Sequence, residues 1–243
     1  MNTANTAQSI ACQQCSAPAR ESDIDLAEAF PILRLPILCE KCGQQEEHAE
    51  QQRIIAQRKR KEAAEREARL EVIPPEMRRT DIARKDFNLG IWIRVEDWKP
   101  SCAKWLGIIG GAGQCKTRCL ALLAVKLILA GHRLHWTTAV EFQERVDDLR
   151  SDIRAAREEA AAYFKHCKRT PILVLDDFGK NTWTPMVEKN LFSLIDHRKT
   201  HDLPILWSAN TPPKLILKTG ELSLDRGAPL IGRILEASNI LNA

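Results

Sequence analysis

Three groups of residues in this chain have the types and the spacing for chemistry. The first is Gly110-Gly111-Ala112-Gly113-Gln114-Cys115-Lys116-Thr117. Gly, four residues, then Gly-Lys-Thr is the pattern of a phosphate-binding loop, with Cys115 standing where the last Gly is expected. The glycines let backbone N–H groups turn inward on a polyphosphate. Lys116 has the reach for the β- and γ-phosphates, and Thr117 has the hydroxyl for Mg²⁺. A helix starting here adds the positive end of its dipole. The nucleotide-contacting set is therefore Gly110 to Thr117 with the following Arg118. Cys115 leaves two outcomes open. With ordinary helical φ, a small Cβ fits and only affinity or rate changes. If the position demands a glycine conformation, nucleotide binding fails.

The second group lies about sixty residues on. Pro171-Ile172-Leu173-Val174-Leu175-Asp176-Asp177 is an apolar, β-rich run that ends in two acids. A buried strand delivering carboxylates at its C-terminal end has the form of a Walker B element. Asp176 is expected to hold Mg²⁺, directly or through water, and Asp177 to orient or polarise the attacking water. Further on, Leu203 to Asn210 reads as a strand that ends on an amide. Asn210 either positions the hydrolytic water or simply forms the turn before Thr211-Pro212-Pro213.

The third group is Cys12-Gln-Gln-Cys15 and Cys39-Glu-Lys-Cys42, with 23 residues between the pairs. Two CxxC knuckles close a tetrahedral Zn²⁺ site of the zinc-ribbon kind, and Gly43 fits the second turn. The alternatives are unrelated thiols or a redox pair. So small a region has little apolar content, so metal binding is expected to supply much of its folding energy. His48 is a spare ligand at most, or a solvated helix residue.

These residues need elements to hold them. Trp105 to Ile109 is a short apolar run suited to a buried strand before the loop. Arg118 to Ala130 after it is an almost wholly apolar helix, with Gly131 at its end. Arg133 to Thr137 reads as a strand, and Phe142–Leu149, Ile153–Lys168 and Thr184–Lys199 as helices. Residues 45 to about 71 carry dense charge without Pro or further Gly. They read as a helix with Glu62–Arg66 and Glu65–Arg69 pairs, in which Arg58-Lys59-Arg60-Lys61 is a phosphate-contacting patch or a solvated face. Pro74-Pro75 ends that stretch. The organisation expected is a zinc module over 1–44, a helical connector over 45–73 and an α/β domain over 74–243.

At 243 residues the chain can bury one α/β core and carry a small extra module, and its net charge of +4 permits nucleic acid without demanding it. No apolar run is long enough to span a bilayer and the N-terminus has no signal-peptide core, so a cytoplasmic protein with no membrane partner is expected. Eight cysteines, four of them paired as CxxC, suit a reducing compartment with one metal site.

The ordered set GGAGQCKT, LDDFGK, WSANTPP and LDRGAPLIGRILEA resembles the AAA+ ATPases of the replicative helicase-loader family, the DnaC/DnaI-type proteins and their phage relatives. The resemblance runs from about Pro74 onward. It implies an α/β fold: an AAA+ P-loop NTPase domain with a five-stranded parallel sheet flanked by helices. It also implies ATP and Mg²⁺ as cofactors, beside the Zn²⁺ read from the cysteine spacing, with the replicative helicase, single-stranded DNA and further copies of the chain as partners. Asn210 takes the sensor-1 position. Arg233 takes that of the arginine finger that reaches a neighbouring subunit's ATP, with Arg226 as the alternative. The chain has ten residues after Arg233, too few for the usual C-terminal helical lid, which helicase loaders tend to lack. The function expected is ATP-dependent helicase loading. A transposition helper of the IstB type, or a zinc-dependent adaptor with a degenerate nucleotide site, are the alternatives.

Overall fold

The computed structural model describes residues 10–29, 35–102, 104–218 and 222–243. The chain forms two compact units, Met1–Glu65 and Arg66–Ala243. The boundary falls inside one long helix, α2 (Glu40–Leu70). This helix begins five residues earlier than the charge pattern implies and takes in Cys42 and Gly43.

In the first unit an antiparallel bridge joins Ala11 to Pro18, and the chain between them folds back with Ser16 at φ 61°. Helix α1 (Glu21–Ala29) follows. The small core is Cys12, Leu38, Cys39 and Cys42 with Ala17 against them. Along α2 the ion pair formed by Glu62 is with Arg58, at 3.0 Å, rather than with Arg66. Either partner sits one helical turn away. At such exposure a pair contributes little, on the order of 0.5 kcal/mol, so the choice carries little weight.

The second unit has α3 (Pro75–Arg78), α4 (Leu89–Val95), β1 (Trp105–Ile109), α5 (Lys116–Leu129), β2 (Leu134–Thr138) and α6 (Ala139–Asp148). It continues with α7 (Arg154–Arg169), β3 (Ile172–Phe178), α8 (Pro185–Thr200), β4 (Ile205–Ala209), α9 (Pro213–Lys218), α10 (Leu224–Ala237) and β5 (Ser238–Asn242). Helix starts follow the capping residues. The side chains of Asn88, Thr138, Thr184 and Ser223 each accept a bond from a backbone N–H in the first turn that follows. The end of α5 turns through Gly131 at φ 92°, and His132 N–H donates to the Leu127 carbonyl, satisfying a carbonyl the helix leaves open.

The sheet order is β2-β3-β4-β1-β5, with every pairing parallel. Alternation along the strands builds a core on each face. Leu106, Ile108, Ile172, Val174 and Leu206 pack with α5 and with Phe87, Ile91, Val95 and Trp98. Leu173, Leu175, Ile205, Trp207 and Ala209 pack on the other face with residues of α6, α8 and α10. Arg198 of α8 is fully buried. Its guanidinium donates to the carbonyls of Cys167, Thr170, Pro171 and Pro204, tying together the segments that lead into β3 and β4. Burial lowers its pKa to about 10.

One irregularity matters for the site. Leu175 pairs with Trp207 and Phe178 with Ala209, so β3 carries one residue more than β4 between these pairs. The bulge spans Asp176 and Asp177, and Asp177 sits at φ 58°. Bulges re-aim side chains, and here the extra residue sends two adjacent carboxylates to different places.

Candidate functional site

The loop after β1 is anchored before it opens. Gly110 N–H donates to the Ala209 carbonyl at 3.1 Å, which ties the loop to the end of β4. Gly113 adopts φ 79°, a region that favours glycine. Cys115, the cap of α5, has φ 59° and ψ 19°. The expectation of ordinary helical φ is not met: the position keeps the left-handed backbone that a glycine holds most easily, but Cys115 occupies it, so it is not closed to a side chain and the loop keeps its turn. A non-glycine residue there costs about 1–2 kcal/mol. The thiol points at the Asp86 carbonyl, with Sγ to O at 3.1 Å.

A cavity of about 280 Å³ opens over this loop. Ala112, Gly113, Gln114, Cys115, Lys116, Thr117 and Arg118 line it, and so do Asp177 and Asn210 from the ends of β3 and β4. Gly110 and Gly111 are not among the residues lining it. Lys116 Nζ donates to the Gly111 carbonyl at 2.7 Å and so spans the loop from within. Burial lowers the Lys116 pKa, and Asp177 and Asp176 oppose that shift.

Asp176 lies beneath the cavity, buried, and accepts from the Thr117 hydroxyl at 3.1 Å and the Ser208 hydroxyl at 2.5 Å. The loop and the second acidic element thus meet in one hydrogen bond. Burial raises the Asp176 carboxyl above its ordinary range, while the Ser208 hydroxyl and then the Thr117 hydroxyl pull it back. Ser208 does a second job, because its oxygen accepts the Asp177 N–H at 3.0 Å, a donor that the bulge has taken out of the ladder. The Asp177 carboxylate is ion-paired with Lys180 at 2.8 Å.

Thr117 and Asp176 have the chemistry for Mg²⁺, a hydroxyl and a carboxylate oxygen within bonding distance of each other. The loop amides, the helix start and Lys116 suit a polyphosphate. Lys180 and Ser208 carry no motif of their own. The one sequence signal for Lys180 is its place three residues after Asp177. Ser208 is visible only once β4 is known to lie beside β3.

Arg233 and Arg226 are not among the residues lining this cavity. Arg233 Nε bonds Asp196 at 2.9 Å, and its guanidinium carbon stands 4.4 Å from the centroid of the Phe192 ring. Arg226 is exposed and reaches the buried Glu188 carboxylate at 3.7 Å.

In the first unit the sulfurs of Cys12, Cys15, Cys39 and Cys42 all lie within 4.8 Å of one another. Ligands 2.3 Å from a tetrahedral Zn²⁺ stand about 3.8 Å apart, so the set fits the ion. The two pairs are built differently. Cys12 and Cys15 form a knuckle in which Gln14 N–H donates to Cys12 Sγ at 3.4 Å. Cys39 and Cys42 instead sit at the start of α2, where Gly43 N–H donates to the Cys39 carbonyl. Gly43 is thus helical rather than a turn residue. A Cβ there would come within 2.4 Å of the Arg20 guanidinium, so a larger residue would require that side chain to move. Burial raises the Cys12 thiol, but N–H donors from Cys39, Gln14 and Cys15 outweigh it and bring the pKa to about 6. A thiolate is the form a metal needs.

No protein-family model and no curated protein matches the sequence. Solved structures do. The crystal structure of DnaI superposes over 70% of this chain and 90% of its own, at TM-score 0.53 and 20% identity. AMPPCP-bound DnaA from Aquifex aeolicus superposes over 70% of this chain at TM-score 0.53 and 17% identity, and the match spans half the length of that chain. Replication initiator DnaA bound to AMPPCP and single-stranded DNA gives TM-score 0.53 at 16% identity, with the same coverage. No helix among the described residues is long and apolar enough to cross a membrane. The second unit shares with these solved replication proteins the fold described above, a five-stranded parallel sheet flanked by helices, and a four-cysteine cluster able to take zinc precedes it in the chain.

Proposed function

We propose that the chain is an ATP-hydrolysing replication accessory protein that loads the replicative helicase onto single-stranded DNA. The observation that carries the reading is the bond from Thr117 to Asp176, with Lys116, Asp177 and Asn210 around one cavity. A nucleotide site that had lost its use has no reason to keep both halves in register, which disfavours the adaptor reading. The likeness to DnaI supports the loader role, and DnaA held with single-stranded DNA supports the DNA partner.

Lys116 leaves the Gly111 carbonyl and takes the β- and γ-phosphates. The amides of Ala112 to Thr117 hold the phosphate chain in place. Thr117 and Asp176 are the residues that would hold Mg²⁺, which when bound would supply charge neutralisation for the phosphate chain. Asn210 and Asp177 orient the attacking water, and Asp177 accepts its proton once released from Lys180. Arg233 is the group we assign to the neighbouring copy's γ-phosphate, which requires parting from Asp196. Its place outside the chain's own cavity supports a role in trans. The isolated chain is then nearly inactive.

The test is ATP hydrolysis by the zinc-loaded chain with single-stranded DNA and the cognate helicase, beside Lys116→Ala and Arg233→Ala. Both variants are expected to lose activity, and a mixture of the two to recover part of it. Equal rates in all three proteins overturn the reading.

A further inference from the structure

We infer that the ATPase unit has a second phosphate-binding surface, for nucleic-acid backbone, at the end of the sheet opposite the nucleotide cavity. The nucleotide loop follows the C-terminal end of β1. Helix α5 runs back from it, so Gly131 to Arg133, the starts of β2 and β3, and the end of α7 gather at the other end.

A cavity of about 430 Å³ opens there. Arg69, His132, Arg133, His166 and Arg169 surround it over an apolar floor that includes Ile128 and Leu134. A second cavity, of about 420 Å³, shares Arg169 and adds Lys165, Lys168 and His197. Among the described residues no carboxylate lines either one. Arg69, Arg133, Lys165 and Arg169 form no ion pair among the described residues, whereas Arg145, Arg154 and Arg233 each hold an acid. Lys168 donates to the Ser193 hydroxyl at 2.9 Å. Burial, then His201, Lys168, Arg198 and Arg169, hold the His197 imidazole below its ordinary pKa, as an excess of positive charge requires.

Helix dipoles account for a cation in the last turn of α7 or α8. They do not account for Arg133, or for the convergence of cations from several elements on two joined cavities without an acid. A single phosphate needs one such cavity. Two that meet at Arg169 form a track, which suits successive phosphates of a polymer. The choice of nucleic acid over other polyanions rests on the replication reading above, and the location rests on the cavities.

The experiment uses the full zinc-loaded chain and fluorescein-labelled oligothymidylate, with anisotropy read across a salt series. A duplex of the same length and a poly-glutamate peptide are the other arms. Arg133→Ala with Arg169→Ala is expected to weaken binding about tenfold or more and to lower the salt slope by about 1.4, for two lost phosphate contacts on a single strand. Arg133→Lys with Arg169→Lys keeps most of the binding. A fluorescent ATP analogue must bind the alanine variant as it binds the unaltered chain, which controls for folding and separates this surface from the nucleotide site. Unchanged DNA affinity and slope in the alanine variant overturn the proposal, as does failure of the unaltered chain to bind DNA. So does equal binding of poly-glutamate with equal loss in the variant, which makes the surface a dock for an acidic protein. Preference between strand and duplex identifies which nucleic acid the track takes.

Discussion

Ser208 shows how much of the site rests on a residue that touches no ligand. Its hydroxyl donates to Asp176 and accepts from Asp177, so one small side chain fixes both acids. Ser208→Ala leaves a buried carboxylate short of a donor and an N–H without an acceptor. We expect a loss of about 1–3 kcal/mol in chemical denaturation and weaker Mg²⁺-dependent nucleotide binding, with less effect on binding measured without Mg²⁺. Cys115 is the other residue whose role the structure sharpens. Its φ is positive, yet its thiol is aimed at Asp86. Cys115→Gly relaxes the backbone but gains chain entropy when unfolded, so its stability should stay within about 1 kcal/mol of the original. Nucleotide affinity should then change little. Cys115→Val puts a β-branched residue in the left-handed region and should weaken binding about tenfold or more in the same titration.

At the scale of elements, the regular strands and helices were legible where the pattern was strong. Trp105 to Ile109, the apolar α5 and the run into Asp176 each announce themselves, because buried strands and helices need continuous apolar faces. Strand β5 does not, since Ser238-Asn239-Ile240-Leu241-Asn242 is largely polar and lies at the sheet edge beside β1. Nor does the bulge in β3, which depends on the register with a strand some thirty residues away. The second cysteine pair was assigned to a knuckle, but Cys42 and Gly43 belong to α2 because a helix can also present two thiols three residues apart. The four sulfurs nonetheless converge, and among the described residues the unit's buried apolar cluster is three of the cysteines with Leu38. Removing metal with a strong chelator should therefore melt the first unit, seen as loss of amide dispersion in residues 10–29 and 35–42, while the second unit keeps its own transition. Survival of that dispersion in metal-free protein, or in Cys12→Ala with Cys42→Ala, contradicts a structural zinc site.

At the scale of the molecule, the chain is a small unit with four clustered cysteines joined through a long charged helix to a five-stranded α/β unit. The contacts change over near residue 65, inside that helix, and not at Pro74-Pro75. The arginine we assign in trans is the part of the proposal a single chain cannot display, because the proposed target is a site on another copy. Arg233 lies against Asp196 and Phe192 in this chain. Asp196→Ala should free it and raise partner-stimulated hydrolysis per subunit, whereas Arg233→Ala should abolish stimulation with nucleotide affinity unchanged. Initial rates and an equilibrium titration read the two separately.

The central claim is that the loop after β1 and the acids at the end of β3 form one Mg²⁺-nucleotide site. Its most direct test is equilibrium titration of a fluorescent ATP analogue, with and without Mg²⁺, on the unaltered chain, Lys116→Ala and Asp176→Asn. The account predicts binding by the unaltered chain that tightens with Mg²⁺. It predicts loss of at least about tenfold in Lys116→Ala, where a phosphate-contacting charge is gone, and loss of the Mg²⁺ effect alone in Asp176→Asn. Absence of binding at millimolar analogue, or equal curves for all three proteins, contradicts it.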